Sequence, residues 1–121
     1  MAFKSDREQF IFDVFVTALE GDVALWANIE TYRWSAAEDT GDLGKLTASV
    51  VAEDTDEVHV VNAHVIRKGL AYALTADVPF LSAETRAVIA RASRANDASE
   101  IDADIADVVV QIGLFGEVRY S

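Results

Sequence analysis

The chain has no cysteine, one proline, two histidines, and ten lysines and arginines against 21 acids in 121 residues. Each scarcity removes a class of chemistry. Without cysteine there is no disulfide, thiol nucleophile or thiolate metal site, and nothing ties the chain to an oxidising compartment. One proline and six glycines in a chain half apolar and a quarter charged describe an ordered globular protein rather than a low-complexity one. The length suits one domain over residues 1–121, enough to remove roughly two thirds of its surface from water on folding. The apolar runs are too short and too flanked by charge to span a bilayer, and the start "MAFKSDREQF" lacks a basic segment followed by an apolar one. The expected setting is therefore cytoplasmic, with no membrane insertion.

Positive charge is scarce and unevenly placed. Residues 20–57 carry ten acids and two bases, and residues 97–121 carry six acids and one base, whereas residues 58–96 carry two acids and five bases. A net charge of -11 argues against direct nucleic-acid binding, because affinity for phosphate backbones comes from clustered Lys and Arg.

The periodicity predicts an α+β fold, about four helices packed on a small three- to four-stranded antiparallel sheet. In "SDREQFIFDVFVTALEG", Ser5 and Glu8 form a capping box, and Gly21 stands where a left-handed helix cap is expected. Phe10, Ile11, Val14, Phe15, Ala18 and Leu19 make one apolar stripe, with Phe3, Phe12 and Val16 outside it. "ALWANIETYRW" alternates like a strand and "SAAEDTGDLGK" reads as a loop. "LTASVVA" and "EVHVV", joined by "EDTD", complete a meander. Asn62 and Ser82 are helix caps, the first helix lining Val65, Ile66, Leu70, Ala73 and Leu74 inward, the second turning Val88 and Ile89 inward and Arg86, Arg91 and Arg94 outward. At the end, Ile101, Ile105, Val108, Ile112 and Phe115 recur at helical spacing. Glu100, Asp102, Asp104 and Asp107 fall mostly on the wet side, with Ser99 a candidate cap and "GEVRY" a possible edge strand.

Most catalytic constellations lack parts. The acidic run at 97–107 fits no EF-hand register, "GDLGK" lacks the spacing of a phosphate loop, and there is no nucleophile elbow. His59 and His64 have no evident third ligand, so no metal, no cofactor and no catalytic residue is assigned. The expected recognition surface is aromatic and acidic: Trp26, Tyr32 and Trp34, the even spacing of the two tryptophans implying a shared strand face, beside Glu38, Asp39 and Asp42, with Tyr120 as a further aromatic.

Three stretches, "ALEGDVALWANIETYRW", "VIRKGLAYAL" and "NDASEIDADIADVVVQIGLFGEVRY", resemble uncharacterised small acidic proteins of actinobacterial phages and mobile elements. The resemblance covers a little under half the chain and brings no functional residue with it. It implies an accessory protein acting on host or phage machinery by binding. The leading expectation is thus a non-enzymatic module that engages a protein partner. The alternatives are an acidic nucleic-acid mimic, which needs the acids of residues 20–57 and 97–121 on one face, and a small metal-dependent hydrolase built on His59 and His64. A homodimer is expected from Phe10, Phe12, Phe15 and Val16, which ring the first helix beyond what one small sheet covers.

Overall fold

The first helix, α1 (Asp6–Leu19), starts as its sequence dictates. Ser5 is extended, its Oγ accepts the Glu8 N–H at 3.2 Å, and Glu8 Oε1 accepts the Lys4 N–H at 3.0 Å. The computed structural model describes residues 3–120. At the other end the expected glycine cap is corrected: Glu20 ends the helix, and Gly21 sits at φ -128°, outside the left-handed region. Glycine is required there by crowding, since a Cβ would lie 2.6 Å from Ala103 Cβ and 2.7 Å from the Thr17 carbonyl oxygen. The second apolar face of α1 is covered by its own chain. Phe3 lies against Phe12 with ring centroids 4.9 Å apart, the two share a buried corner, and Asp97–Ser99 border the adjoining groove at Phe12 and Val16.

After a 3₁₀ turn, Asp22–Leu25, three strands follow as an antiparallel meander in the order β1 (Ala27–Arg33), β2 (Thr47–Ala52), β3 (Val58–Asn62). In β2, Ala48, Val50 and Ala52 point into the core and alternate with half-buried residues, as period-two patterning requires. Val50 is paired with Ile29 on one side and His59 on the other. An irregularity between Ile29 and Thr31 breaks the alternation of β1. The expected shared strand face of the tryptophans is not formed, because Trp26 precedes the strand and Trp34 follows it. The loop expected over 35–45 is instead α2 (Ser35–Thr40) and a 3₁₀ turn, Leu43–Lys45. Ala37 and Leu43 bury there, Gly41 closes α2 at φ 72°, and Asp42 accepts the Gly44 N–H at 2.9 Å.

Three longer helices complete the chain: α3 (Ala63–Thr75), α4 (Ala83–Ala95) and α5 (Ala103–Phe115). Asn62 and Ser82 cap the first two through the N–H groups of Val65 and Thr85. The cap of α5 is Asp102, bonded to the Ile105 N–H, while Asp97 caps the preceding 3₁₀ turn Ala98–Glu100; Ser99 caps neither. The residues from 117 to 120 form no strand. Leu74 departs from its expected place and is 40% exposed, whereas Val65, Ile66, Leu70 and Ala73 are buried. Among the described residues the packing thus holds five helices, four of them of 13 or 14 residues, with a three-stranded open sheet.

The expected single stripe on α5 is too narrow. Ala106, Asp107, Val109, Val110, Gln111, Ile112 and Gly113 are all buried, so most of the circumference is enclosed. Antiparallel α3 and α5 meet backbone to backbone: a Cβ on Gly69 would overlap the Val109 carbonyl, and one on Gly113 would overlap that of Val65. Gly113→Ala should therefore cost about 1–3 kcal/mol by overpacking. Gly116→Ala has open space but a φ of 73°, and its cost should stay near about 1 kcal/mol. Thermal denaturation of both variants checks the ranking.

Candidate functional site

The side chain expected as a recognition anchor, Trp26, is 6% exposed and serves as the floor of a polar and aromatic cluster. Its Nε1–H donates to Asp107 Oδ1 at 2.8 Å, and Tyr120 stacks on its ring at a centroid distance of 4.8 Å and an angle of 4°. Phe115 meets both rings edge-on, and His59 packs against Phe115 at 5.0 Å. The second Asp107 oxygen accepts from Gln111 Nε2 at 2.8 Å. Gln111 then treats the C-terminal segment as a strand would: its Nε2 donates to the Tyr120 carbonyl, and its Oε1 accepts the N–H groups of Arg119 and Tyr120 at 2.8 and 2.7 Å. No buried side-chain nitrogen or oxygen among the described residues lacks a partner.

Around this cluster the acids of distant segments converge. A cleft of about 300 Å³ is lined by Asp22, Asp104 and Asp107 together with Leu25, Trp26, Arg119 and Tyr120. The Tyr120 hydroxyl donates to Asp54 at 2.8 Å, and the Glu53 N–H donates to the Trp26 carbonyl. Burial pushes the Asp107 carboxyl above its ordinary range; its two hydrogen bonds oppose that shift, and the charges of Asp22 and Asp104 add to it. Burial, then the carboxylates of Asp54 and Glu57, raise the Tyr120 phenol, while Arg119 works the other way. Leu25, 78% exposed, stands at the rim. Periodicity hid Asp107 by placing it on the wet side of α5; the one sequence signal was Asp107 and Gln111 at i and i+4 among apolar neighbours.

The other expected surface residues are only partly together. Tyr32 is half-buried, its ring 6.0 Å from Phe15, and its hydroxyl donates to Glu20 at 2.6 Å, so burial and that carboxylate raise its pKa far above the usual value. Trp34 is 37% exposed at the start of α2, with Glu38, Asp39 and Asp42 exposed on and after that helix. Trp26 is not part of that surface. Among the described residues, no three His, Asp or Glu side chains are grouped to hold a metal ion, and no helix is long and apolar enough to cross a membrane.

A second groove, of about 540 Å³, lies where α1, α3 and α4 meet and has the opposite character: Arg7, Arg86 and Arg94 line it with Leu74, Ala90, Ser93 and Asn96. Composition put an excess of base in residues 58–96, but did not bring Arg7 to it.

Comparison with known proteins yields no matching protein family, no significantly similar curated protein and no significantly similar solved structure.

The Gln111 network predicts a separable effect on the C-terminal segment. Gln111→Ala removes the acceptor of two backbone N–H groups and one donor to Asp107, and should destabilise by about 1–3 kcal/mol. Faster amide exchange at Tyr120 and altered Trp26 fluorescence, with helix content unchanged, are the expected readouts. Gln111→Glu keeps the acceptor but sets a carboxylate against Asp107, so near neutral pH it should release the segment as well.

Proposed function

We propose that the chain is a non-enzymatic binding protein whose docking surface is the acidic, aromatic face around Trp26 and Tyr120, and whose partner is a basic protein. The observation that carries this reading is the convergence of Asp22, Asp54 and Asp104 from three separate segments on one aromatic cluster, with Leu25 left exposed beside it. Carboxylates crowded onto one face repel each other, and a cationic partner relieves that repulsion while steering association. The exposed leucine supplies the apolar contact that charge alone does not, and the stacked aromatic pair gives a rigid base. This surface keeps the expected acidic and aromatic character but moves it from Trp34 and α2 to the other end of β1, with Trp26 as its support rather than its contact.

The same convergence favours a second reading. A nucleic-acid mimic needs the acids of residues 20–57 and 97–121 on a common face, and the meeting of Asp22 with Asp104 and Asp107 supports it for one member of the first segment, while Glu38, Asp39 and Asp42 lie elsewhere. Both readings place a basic surface opposite the cleft; they differ in whether DNA competes for it. Phe10, Phe12 and Phe15 are buried and Val16 is half-buried within the chain, so the apolar ring of α1 is covered intramolecularly.

Affinity capture from an actinobacterial lysate, followed by reconstitution with the purified partner, tests the proposal. The partner should be basic and should weaken with rising salt, and the Asp22→Lys/Asp104→Lys variant should lose it by about tenfold or more. Competition by duplex DNA for the partner would select the mimic, and equal capture by the charge-reversed variant would rule out this face for both.

A further inference from the structure

The groove between α1, α3 and α4 gathers cations that have no carboxylate partner among the described residues. Two arginines have carboxylate partners among the described residues: Arg91 with Glu100 at 2.9 Å and Arg119 with Glu117 at 3.3 Å. Neither lines the groove. Arg7 there is bonded only to neutral acceptors, all through Nη1: the Ser93 carbonyl and Oγ at 2.9 Å each, and Asn96 Oδ1 at 3.1 Å. Arg86 uses Nη2 on the Ala76 carbonyl at 3.2 Å, and Arg94 makes no hydrogen bond or ion pair among the described residues. Burial lowers the Arg7 pKa, and the nearby Arg67 lowers it further, so this guanidinium is partly desolvated beside a like charge. A chain with 21 acids has no shortage of carboxylates to offset such a cluster, yet none is placed in the groove.

The apolar part of the groove is equally specific. Leu74 is 40% exposed over its floor with Ala90. Across α4 a second groove, of about 440 Å³, is lined by Leu81, Ala83 and Ala87 and shares Arg86 and Ala90 with the first. One residue before Leu81, Phe80 is 82% exposed at φ 67°, a backbone region that bulky residues rarely occupy, and its ring contributes nothing to the core. Arginine donors along an apolar track fit a segment that alternates carboxylates with apolar side chains.

We infer that this groove docks an acidic, amphipathic segment of a partner protein, Arg7, Arg86 and Arg94 taking its carboxylates and Leu74 and Ala90 taking an apolar side chain. The inference is independent of the acidic face described above. A nucleic-acid backbone is the poorer occupant. It offers no aliphatic side chain for Leu74.

The test is a titration of the intact chain with a labelled helical peptide bearing glutamates beside leucines, followed by NMR at the arginine side chains. Saturable shifts are expected at Arg7, Arg86 and Arg94 but not at Arg33, which is exposed on β1 and serves as the internal reference. The Arg86→Glu/Arg94→Glu variant, with an unchanged melting transition, should bind about tenfold or more weakly. Leu74→Ala should also weaken binding, and the Asp22→Lys/Asp104→Lys variant should bind as well as the parent. A peptide with glutamine in place of glutamate should bind much less. The inference is overturned by absence of saturable shifts, by equal shifts at Arg33, by full binding to the charge-reversed variant, or by tighter binding of a single-stranded DNA oligonucleotide than of the peptide.

Discussion

The close approach of α3 and α5 at Gly69 and Gly113 is the constraint on which the rest of the structure depends. It draws α5 into the middle of the molecule, where α1, α3, the Asp22–Leu25 turn and β3 all reach it. A helix so placed has little wet side. Its polar side chains must either be absent or be fully bonded, because an unpaired buried donor or acceptor costs about 1–3 kcal/mol. Asp107 and Gln111 meet the second condition, and in doing so tie three distant parts of the chain together: Trp26 before the sheet, α5 itself, and the segment ending at Tyr120.

That hub also organises the surface above it. Because Trp26 and Tyr120 stack over α5, the chain segments that carry Asp22, Asp54 and Asp104 are brought to one place. Arg7, Arg86 and Arg94 are collected elsewhere by the packing of α4 against the start of α1. Separation of charge on this scale has little to do with stability. The exposed Arg91–Glu100 and Arg119–Glu117 pairs are each worth about 0–1 kcal/mol. What the separation does create is two surfaces of opposite sign, each with exposed apolar residues: Leu25 on one, Leu74 and Phe80 near the other.

Local features were legible in the residues themselves. Ser5, Asn62 and Ser82 cap the helices they precede, since a short side-chain oxygen two or three residues from a free N–H closes the bond without help from the rest of the fold. The meander was legible for a similar reason, the turn and the alternation of β2 both being local. Where the reading failed, a contact from a remote segment had intervened. Gly21 is a glycine because Ala103 crowds it, and Ser99 is passed over because Asp97 and Asp102 divide the two caps between them. The segment 35–45 folds into short helical turns because Ala37 and Leu43 find room in the core.

Sequence by itself determined the acidity, the exclusion of thiol chemistry, the class of fold and the ends of most helices, because these depend on composition or on residues within a few positions of one another. It also placed excess base in residues 58–96. Only the tertiary structure decided which apolar residues became surface, as with Leu74, and which polar residues became core, as with Asp107 and Gln111. Periodicity along one helix assigns a single buried face, and it cannot register that neighbours enclose a helix on several sides. The convergence of Asp22, Asp54 and Asp104, and the approach of Arg7 to Arg86 and Arg94, are likewise properties of packing: each joins residues far apart in the chain whose separation carries no local signal.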